Sequence, residues 1–293
     1  MSNGSNIPFQ VFQDLELEPG TVEFAIRRIE PLSPAVLRSA LAIHRHDFYE
    51  IAWITGGQGG IWIDLDHYRV GPNTLCFLSP GQIHAWEVAG DPAGFLLGFT
   101  HRFFTESPDD ASALIKLPFF YGVGAAPVLS VNEEQTELFT QTCSQLLRES
   151  HLALLGQGAI LRSYMRILLL EARRLRDTQA GVNHLEEASF ALTKQFVLLV
   201  DAHYLDTSSV ADYAAMLHVT TNHLVKTVKR SLGHPPGQII RDRLLLEAKR
   251  LLRYADMPVA EIATYLNFED PSYFSRFFRE KTGLTPTEFR EQA

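Results

Sequence analysis

Hydrophobic and polar positions follow three successive patterns along the 293-residue chain. The first pattern, from about residue 20 to residue 105, consists of short apolar or alternating runs separated by Gly, Pro or Asn. The runs are TVEFAI, FYEIAWIT, GGIWIDL, HYRV, TLCFLS and GFLLGF. Runs of this length and spacing are typical of antiparallel β-strands joined by turns. They predict a small antiparallel barrel or sandwich.

The second pattern, from about residue 132 to residue 178, has apolar residues at helical intervals of three and four. Leu138, Cys143 and Leu146 mark the first segment, and Ile160 and Ile167 mark the second. This spacing predicts two amphipathic helices, and the basic end of the second, EARRLR, suits the negative end of a helix dipole. These helices carry more leucine than one packed face needs. We therefore expect a homodimer through this region, particularly Leu138, Leu146, Leu147 and their neighbours.

A polar, Gly-containing stretch without a pattern follows the two helices and separates two domains. We expect residues 1–178 to form the first domain, residues 179–185 to be a linker and residues 186–293 to form the second domain. The fold class is therefore α+β, with a barrel and its helices in the first domain and helices alone in the second.

The third pattern is a loose internal repeat in the second domain. The segment HVTTNHLVKTVKRSLGHPP at 218–236 is echoed by NFEDPSYFSRFFREKTGLTP at 267–286. Each copy follows a short helical segment, SSVADYAAML or PVAEIATYL, with small alanines where two helices must cross closely. Helix, tight turn and helix predict helix-turn-helix units at about 208–231 and 257–282. A continuous helix, GQIIRDRLLLEAKRLLRYA, is expected to join them.

The charge distribution supports DNA as the partner of this repeat. The formal net charge of −8 argues weakly against nucleic acid, but residues 221–253 carry eight Lys and Arg against two acidic residues. A solvated helix face is the alternative explanation of a basic segment alone. The agreement of turn, spacing and duplication favours DNA binding over an ordinary helical repeat.

The second helix of each unit presents polar and basic residues on its predicted outward face. Arg and Asn can read guanine and adenine edges, while Lys, Ser and Thr suit phosphates. The predicted DNA-binding residues are Thr221, Asn222, His223, Lys226, Thr227, Lys229 and Arg230 in the first copy, and Ser272, Tyr273, Ser275, Arg276, Arg279 and Lys281 in the second.

Residues 190–290 resemble the DNA-binding domain of the AraC/XylS family of bacterial transcription regulators. The resemblance rests on SVADYAAML, EAKRLL, EIATYL and DPSYFSRFFREKTGLTPTEFR. It implies two helix-turn-helix units that bind adjacent major grooves of a promoter, with RNA polymerase as a further partner. One departure is Asn267, where the family usually has Gly. Asn is the non-Gly residue best able to adopt a positive φ, so we expect the turn to be kept.

The first domain resembles the cupin-like sensor domains of that family in HRHDFYEIAWITGG and PGQIH. In metal-dependent cupins the residues at the positions of His44, His46, Glu50 and His84 ligate one ion, so a metal-dependent enzyme or a metal-sensing regulator is the alternative. The family's regulators commonly hold a small organic effector there instead, and we expect an effector, of the sugar or aromatic acid class, and no metal. The predicted effector contacts are Arg38, His44, His46, Trp53, His84 and Trp86.

Other features of the sequence favour a cytoplasmic regulator over an enzyme or a membrane protein. Cys76 and Cys143 are too few for a disulfide framework and form no C-x-x-C pair, so both are expected to be buried. The longest apolar runs are far too short for a membrane span. No Ser-His-Asp set, P-loop or dinucleotide fingerprint is present. The sequence leaves open the effector and whether transcription is activated or repressed.

Overall fold

The computed structural model describes residues 8–10, 12, 23–30, 38, 40–104, 117–120, 127–152, 154–180 and 187–291. The chain divides into two compact units, the first within Pro8–Leu185 and the second within Glu186–Ala293. The first unit is rich in antiparallel sheet and the second is helical, which confirms the α+β class. None of the helices in the described part of the chain is long and apolar enough to cross a membrane.

An antiparallel sheet forms the framework of the first unit. Its strands run in the order β2-β7-β4-β6-β8, with β5 paired to β4, while β1 and β3 form a separate parallel pair. The strands are β1 (Phe9–Gln10), β2 (Phe24–Arg28), β3 (Arg45–His46), β4 (Tyr49–Ile63), β5 (Asp66–Val70), β6 (Thr74–Leu78), β7 (His84–Phe99) and β8 (Val128–Ser130).

Two of these strands are longer than the sequence predicted. The runs FYEIAWIT and GGIWIDL, expected as separate strands, are one strand of 15 residues, and β7 extends the expected GFLLGF to 16 residues. The pairing register of β4 with β7 shifts at Gly56, which marks irregularities where the strand bends without ending. Gly57 in this bend has φ 82°, and a Cβ there would lie 2.8 Å from the Cα of Pro92. Gly56 and Gly57, which the sequence pattern placed at the end of a strand, therefore lie at a bend within one continuous strand.

The two faces of the sheet bury different sets of side chains. Tyr49, Ile51 and Trp53 of β4 belong to the core that includes the helices after the sheet. Ala52 and Ile61, from the two halves of the same strand, belong to a second cluster on the opposite face. Because residues from both halves of β4 share this cluster, the sheet curls around it. We call these sides the helix-covered face and the inner face.

Two helices, α1 (Glu133–Ser150) and α2 (Gln157–Ala180), pack on the helix-covered face. The Asn132 side chain caps α1 by accepting a hydrogen bond from the amide of Gln135. Leu146 is fully buried in the unit's own core, so the prediction that it belongs to a dimer surface is wrong. Leu147 also packs against that core, whereas Leu138 is exposed.

The second unit consists of seven helices within residues 187–291. They are α3 (Glu187–His203), α4 (Val210–Met216), α5 (Thr221–Leu232), α6 (Pro236–Tyr254), α7 (Val259–Tyr265), α8 (Pro271–Thr282) and α9 (Pro286–Glu291). Helices α4 and α5 form the first helix-turn-helix, and α7 and α8 form the second. The predicted connecting helix is α6, which is continuous over 19 residues.

The turns of the two helix-turn-helix units share one backbone device. His218 after α4 and Asn267 after α7 both have positive φ, 54° and 63°. The amide of the next residue then donates to a carbonyl five positions earlier, from Val219 to Ala214 at 3.0 Å in the first unit. This geometry closes the end of a helix and turns the chain sharply. The expectation that Asn267 keeps the turn is confirmed.

Candidate DNA interface and inner-face histidine cluster

The recognition helix of the first helix-turn-helix, α5, is positioned by its cap and its apolar face. Thr220 caps it by accepting a hydrogen bond from the amide of His223 at 3.2 Å. Leu224 and Val228, one turn apart, are fully buried. Burial of this face leaves the opposite face to solvent. The predicted DNA contacts exposed there are Thr221, Asn222, His223, Lys226, Lys229 and Arg230.

Thr227 is the exception among the residues predicted on this helix. Only 5% of it is exposed, so the prediction that it faces outward is wrong. It lies three residues after the buried Leu224 and directly before the buried Val228, on the packed side of the helix. The equivalent position in the second copy is Phe277. An apolar residue there indicates that this position faces inward, so comparison of the two copies could have shown that Thr227 is buried.

The recognition helix of the second helix-turn-helix, α8, is built in the same way. The carboxylate of Asp270 caps it by accepting from the amide of Ser272 at 2.8 Å, and this backbone hydrogen bond lowers the pKa of Asp270. Phe274 and Phe278 are fully buried. Ser275 is half-buried, and its hydroxyl donates to the Pro271 carbonyl. The predicted contacts exposed on this helix are Ser272, Tyr273, Arg276, Arg279 and Lys281.

The exposed cations of α8 are not equivalent. The guanidinium carbon of Arg276 lies 5.9 Å from the ring centroid of Tyr273, one turn earlier, which favours one orientation of the arginine. The Lys281 ammonium lies 3.2 Å from a carboxylate oxygen of Glu280. The cations of this helix thus differ in their partners, since Arg276 lies over an aromatic ring and Lys281 beside a carboxylate.

An ion-pair network, which the sequence did not reveal, runs from the buried Glu247 of α6 to the exposed Asp201 of α3. Arg243 donates to Asp201 on α3 at 2.6 Å and to Glu247 at 3.0 Å, and Arg250 donates to Glu247 at 3.2 Å. Burial alone would raise the pKa of Glu247, but the charges of Arg250 and Arg243 outweigh burial and lower it. The network holds α6, which connects the two helix-turn-helix motifs, against α3.

The second candidate site is a cluster of buried histidines in the first unit. The backbones of His44 and His84 exchange two hydrogen bonds, which places their rings 4.1 Å apart between centroids. The ring of His46 lies 4.8 Å from that of His84. Glu50 joins them from β4, with one carboxylate oxygen 3.8 Å from Nε2 of His46. All four side chains are buried.

Burial controls the protonation of this cluster. Desolvation, together with the neighbouring His44, lowers the pKa of His46 to about 3. Desolvation also lowers the pKa of His84 and raises the pKa of Glu50 to about 7, although Arg27 and a hydrogen bond from Trp86 oppose the rise at Glu50. The imidazoles of His46 and His84 are consequently neutral near pH 7.

Backbone carbonyls select the tautomer of two of these rings. Nδ1 of His84 lies 3.1 Å from the carbonyl of Gln82, and Nδ1 of His44 lies 2.8 Å from the carbonyl of Ala42. A carbonyl can only accept, so each Nδ1 carries the proton and each Nε2 of the neutral ring has a lone pair. Nε2 of His84, both ring nitrogens of His46 and Oε1 of Glu50 are buried without a hydrogen-bond partner.

Two of the predicted effector residues do not lie with the cluster. Trp53 is on the helix-covered face, where its indole donates to the Thr140 hydroxyl at 3.1 Å, so its assignment to an inner pocket is wrong. The reason is alternation, because Trp53 and Glu50 lie at odd spacing on β4 and so point to opposite faces. Arg38 is exposed, unlike the buried histidines, whereas Trp86 packs on the inner face.

Arg27 of β2 is an inner-face residue that was not among the predicted effector contacts. Phe24 and Ile26 face the helix-covered core, so alternation places Arg27 on the inner face. Its charge acts on Glu50, and its buried Nε has no hydrogen-bond partner. The alternating pattern of TVEFAIRR carried this signal.

Two family models match the chain. The model described as an AraC-like ligand binding domain matches residues 38–191, and the model described as a helix-turn-helix domain matches residues 213–292. The first segment contains His44, His46, Glu50 and His84, and the second contains both recognition helices.

Curated relatives match most of the chain. The chain is similar to the HTH-type transcriptional activator RhaS of Enterobacter sp. (strain 638), at 24% identity over 89% of this chain and 91% of that protein. It is also similar to the HTH-type transcriptional activator RhaR of Cronobacter sakazakii, at 22% identity over 89% of this chain and 93% of that protein. A solved structure of unsaturated fatty acid bound ToxT from Vibrio cholerae covers 94% of this chain and 97% of its own, at 13% identity and a TM-score of 0.38.

Proposed function

The chain belongs to the AraC family of transcriptional regulators, and we propose that an organic effector on the inner face of its sheet controls how its two recognition helices engage promoter DNA. The observation that carries this proposal is the duplicated unit of the second half. In both copies a capped helix buries its apolar face and exposes a polar, basic face.

The two recognition helices are proposed to read adjacent segments of the major groove. The connecting helix α6 has 19 residues and therefore a length of about 28 Å. One turn of the duplex is about 34 Å, so a rigid spacer of this length suits two readers on one side of the DNA. Asn222 and Arg276 are proposed to read base edges, and Lys229 is proposed to bind phosphate.

The effector is proposed to be a sugar or an aromatic acid bound near Trp86 and the histidine cluster of His44, His46 and His84. An indole offers a face for stacking, and imidazoles offer hydrogen bonds. Arg27 takes the role first considered for Arg38, because its guanidinium is on the inner face and can bind a carboxylate bidentately.

A second copy of the chain is proposed to cover an apolar stripe on α2. Ile160, Ile167 and Leu170 are all exposed there, and Leu138 is exposed on α1. Closed two-fold dimers are the commonest way in which soluble proteins bury such a stripe. The proposed dimer would bind promoter DNA in the cytoplasm and act through contact with RNA polymerase. Regulation rather than catalysis agrees with the transcriptional activators that it resembles.

Selection of bound fragments from genomic DNA, followed by hydroxyl-radical footprinting, tests the DNA-binding proposal. We expect two protected patches about one helical turn apart on one face of the duplex. Asn222→Ala should remove base preference in one patch and Arg276→Ala in the other. The proposal would be contradicted if the selection enriched no particular DNA sequence. It would also be contradicted if the footprint showed a single protected patch that neither variant changes. Footprinting at a series of protein concentrations, with and without added sugars or aromatic acids, tests the effector, which should change the affinity or the footprint.

A further inference from the structure

We propose that the inner face binds one first-row transition-metal dication through His46, Glu50 and His84. One ligand atom from each of these side chains can be chosen so that all three lie within 4.8 Å of one another. The three residues come from β3, β4 and β7, so the fold itself brings them together.

The first support for an ion is the set of polar atoms that the protein leaves unsatisfied. Nε2 of His84, both ring nitrogens of His46 and Oε1 of Glu50 are buried and have no hydrogen-bond partner. An unpaired buried polar atom destabilises the folded protein, and buried polar groups are nearly always paired. A single cation bound between the three side chains would satisfy one atom of each residue.

The second support is the hydrogen bond that prepares His84 as a ligand. Its Nδ1 donates to the Gln82 carbonyl, so the lone pair is on Nε2. A metal-binding histidine usually donates its other ring N–H to a carbonyl or a carboxylate in this way. His44 is prepared by the Ala42 carbonyl in the same manner, and its ring is 4.1 Å from that of His84. His44 is therefore the candidate for a fourth ligand.

The donor set indicates which ions fit. Imidazole with one carboxylate suits Zn²⁺, Fe²⁺, Co²⁺ or Ni²⁺, whereas Mg²⁺ and Ca²⁺ prefer oxygen ligands. Two ligands at about 2.0–2.1 Å from a tetrahedral ion are about 3.4 Å apart. Nε2 of His46 and the Glu50 oxygen are 3.8 Å apart, so a movement of a few tenths of an ångström would complete this edge.

An ion at this position changes the expectation drawn from the sequence, which favours an organic effector without a metal. It does not replace the effector, because Trp86 and Arg27 remain on the same face beside the ion. None of the three ligands comes from a recognition helix, so we expect the metal-free protein to bind promoter DNA, with the organic effector as the signal that changes that binding.

The test uses the full-length protein, stripped with a chelator and returned to metal-free buffer. Zn²⁺, Co²⁺, Ni²⁺ and Mg²⁺ are added separately, and bound metal, thermal stability and the Co²⁺ absorption spectrum are measured. We expect one Zn²⁺ or Co²⁺ per chain, visible Co²⁺ bands from nitrogen and oxygen ligands, and a higher Tm with Zn²⁺ but not with Mg²⁺.

Variants locate the ion. His84→Ala and Glu50→Gln should each weaken Zn²⁺ binding by at least about tenfold. His67→Ala is the matched control, because His67 forms an exposed pair with Glu87 at 3.0 Å and lies outside the cluster. It should bind Zn²⁺ as the wild type does. Glu50→Gln is nearly isosteric and decides the matter if His84→Ala fails to fold.

Two results would overturn the inference. One is a folded wild-type protein that binds none of the transition metals stoichiometrically. The other is stoichiometric binding that Glu50→Gln and a folded His84→Ala both leave unchanged. Promoter binding by the metal-free protein is measured in parallel, so that loss of this inference is distinguishable from loss of the proposed regulatory function.

Discussion

Removal of Lys229 and removal of Asn222 should affect DNA binding in different ways, although both residues are exposed on α5. Lys229→Ala should weaken binding to all sequences about equally, because an ammonium that meets phosphate carries no base information. Asn222→Ala and, on the other recognition helix, Arg276→Ala should weaken binding mainly to the cognate site, because an amide or a guanidinium can pair with a base edge.

The magnitudes follow from the kind of contact. One lost phosphate contact lowers the slope of log affinity against log salt by about 0.9, which is about a 3.5-fold change between 50 and 200 mM salt. Loss of a base contact costs about 1–3 kcal/mol, or about 5- to 150-fold, on the cognate site only. The largest effect is expected at Arg276, because Tyr273 orients its guanidinium.

The assay is a binding titration of each variant at several salt concentrations, with the cognate site and a scrambled duplex. Arg69→Ala is the control for the change in net charge, since Arg69 is an exposed cation on β5 of the other unit. It should change neither the salt slope nor the specificity. An unchanged ratio of specific to non-specific affinity in both Asn222→Ala and Arg276→Ala would refute the assignment of these faces to base readout.

Three further predictions concern stability and assembly. Phe274→Ala should cost about 3–5 kcal/mol in urea unfolding because the ring is fully buried, whereas Tyr273→Ala, at an exposed position, should cost less than about 0.5 kcal/mol; equal costs would contradict the packing described. Ile167→Lys should convert a dimer to a monomer in sedimentation at micromolar concentration, and a wild-type monomer would refute the proposed dimer. The folded-state pKa of Glu247 is lowered, so its stabilising effect is present above the unfolded pKa and is lost as pH falls through the folded pKa. Glu247→Gln should therefore reduce the loss of stability between about pH 5 and pH 3 in urea titrations, and parallel pH profiles would show that the ion pairs contribute nothing there.

Local sequence determined the two helix-turn-helix motifs and the helix that joins them. The inward positions Leu224 and Phe274 follow from helical spacing, and a positive φ at Asn267 follows from its side chain and its place after a helix. These features depend on residues within one or two turns of each other. Thr227 is the exception, because whether the edge of a helix is covered depends on neighbouring helices that are distant in sequence.

Tertiary structure decided the arrangement of the first unit. The bend at Gly56 joins two predicted strands into one. Alternation along a strand separates Trp53 from Glu50 and Arg27 from Ile26, but only the pairing of the strands shows which core each face meets. The sequence indicated that His46 and His84 were chemically important. Whether their lone pairs are available depends on a carbonyl such as that of Gln82 and on burial by strands that meet only in the folded sheet, and spacing along the chain does not encode that geometry.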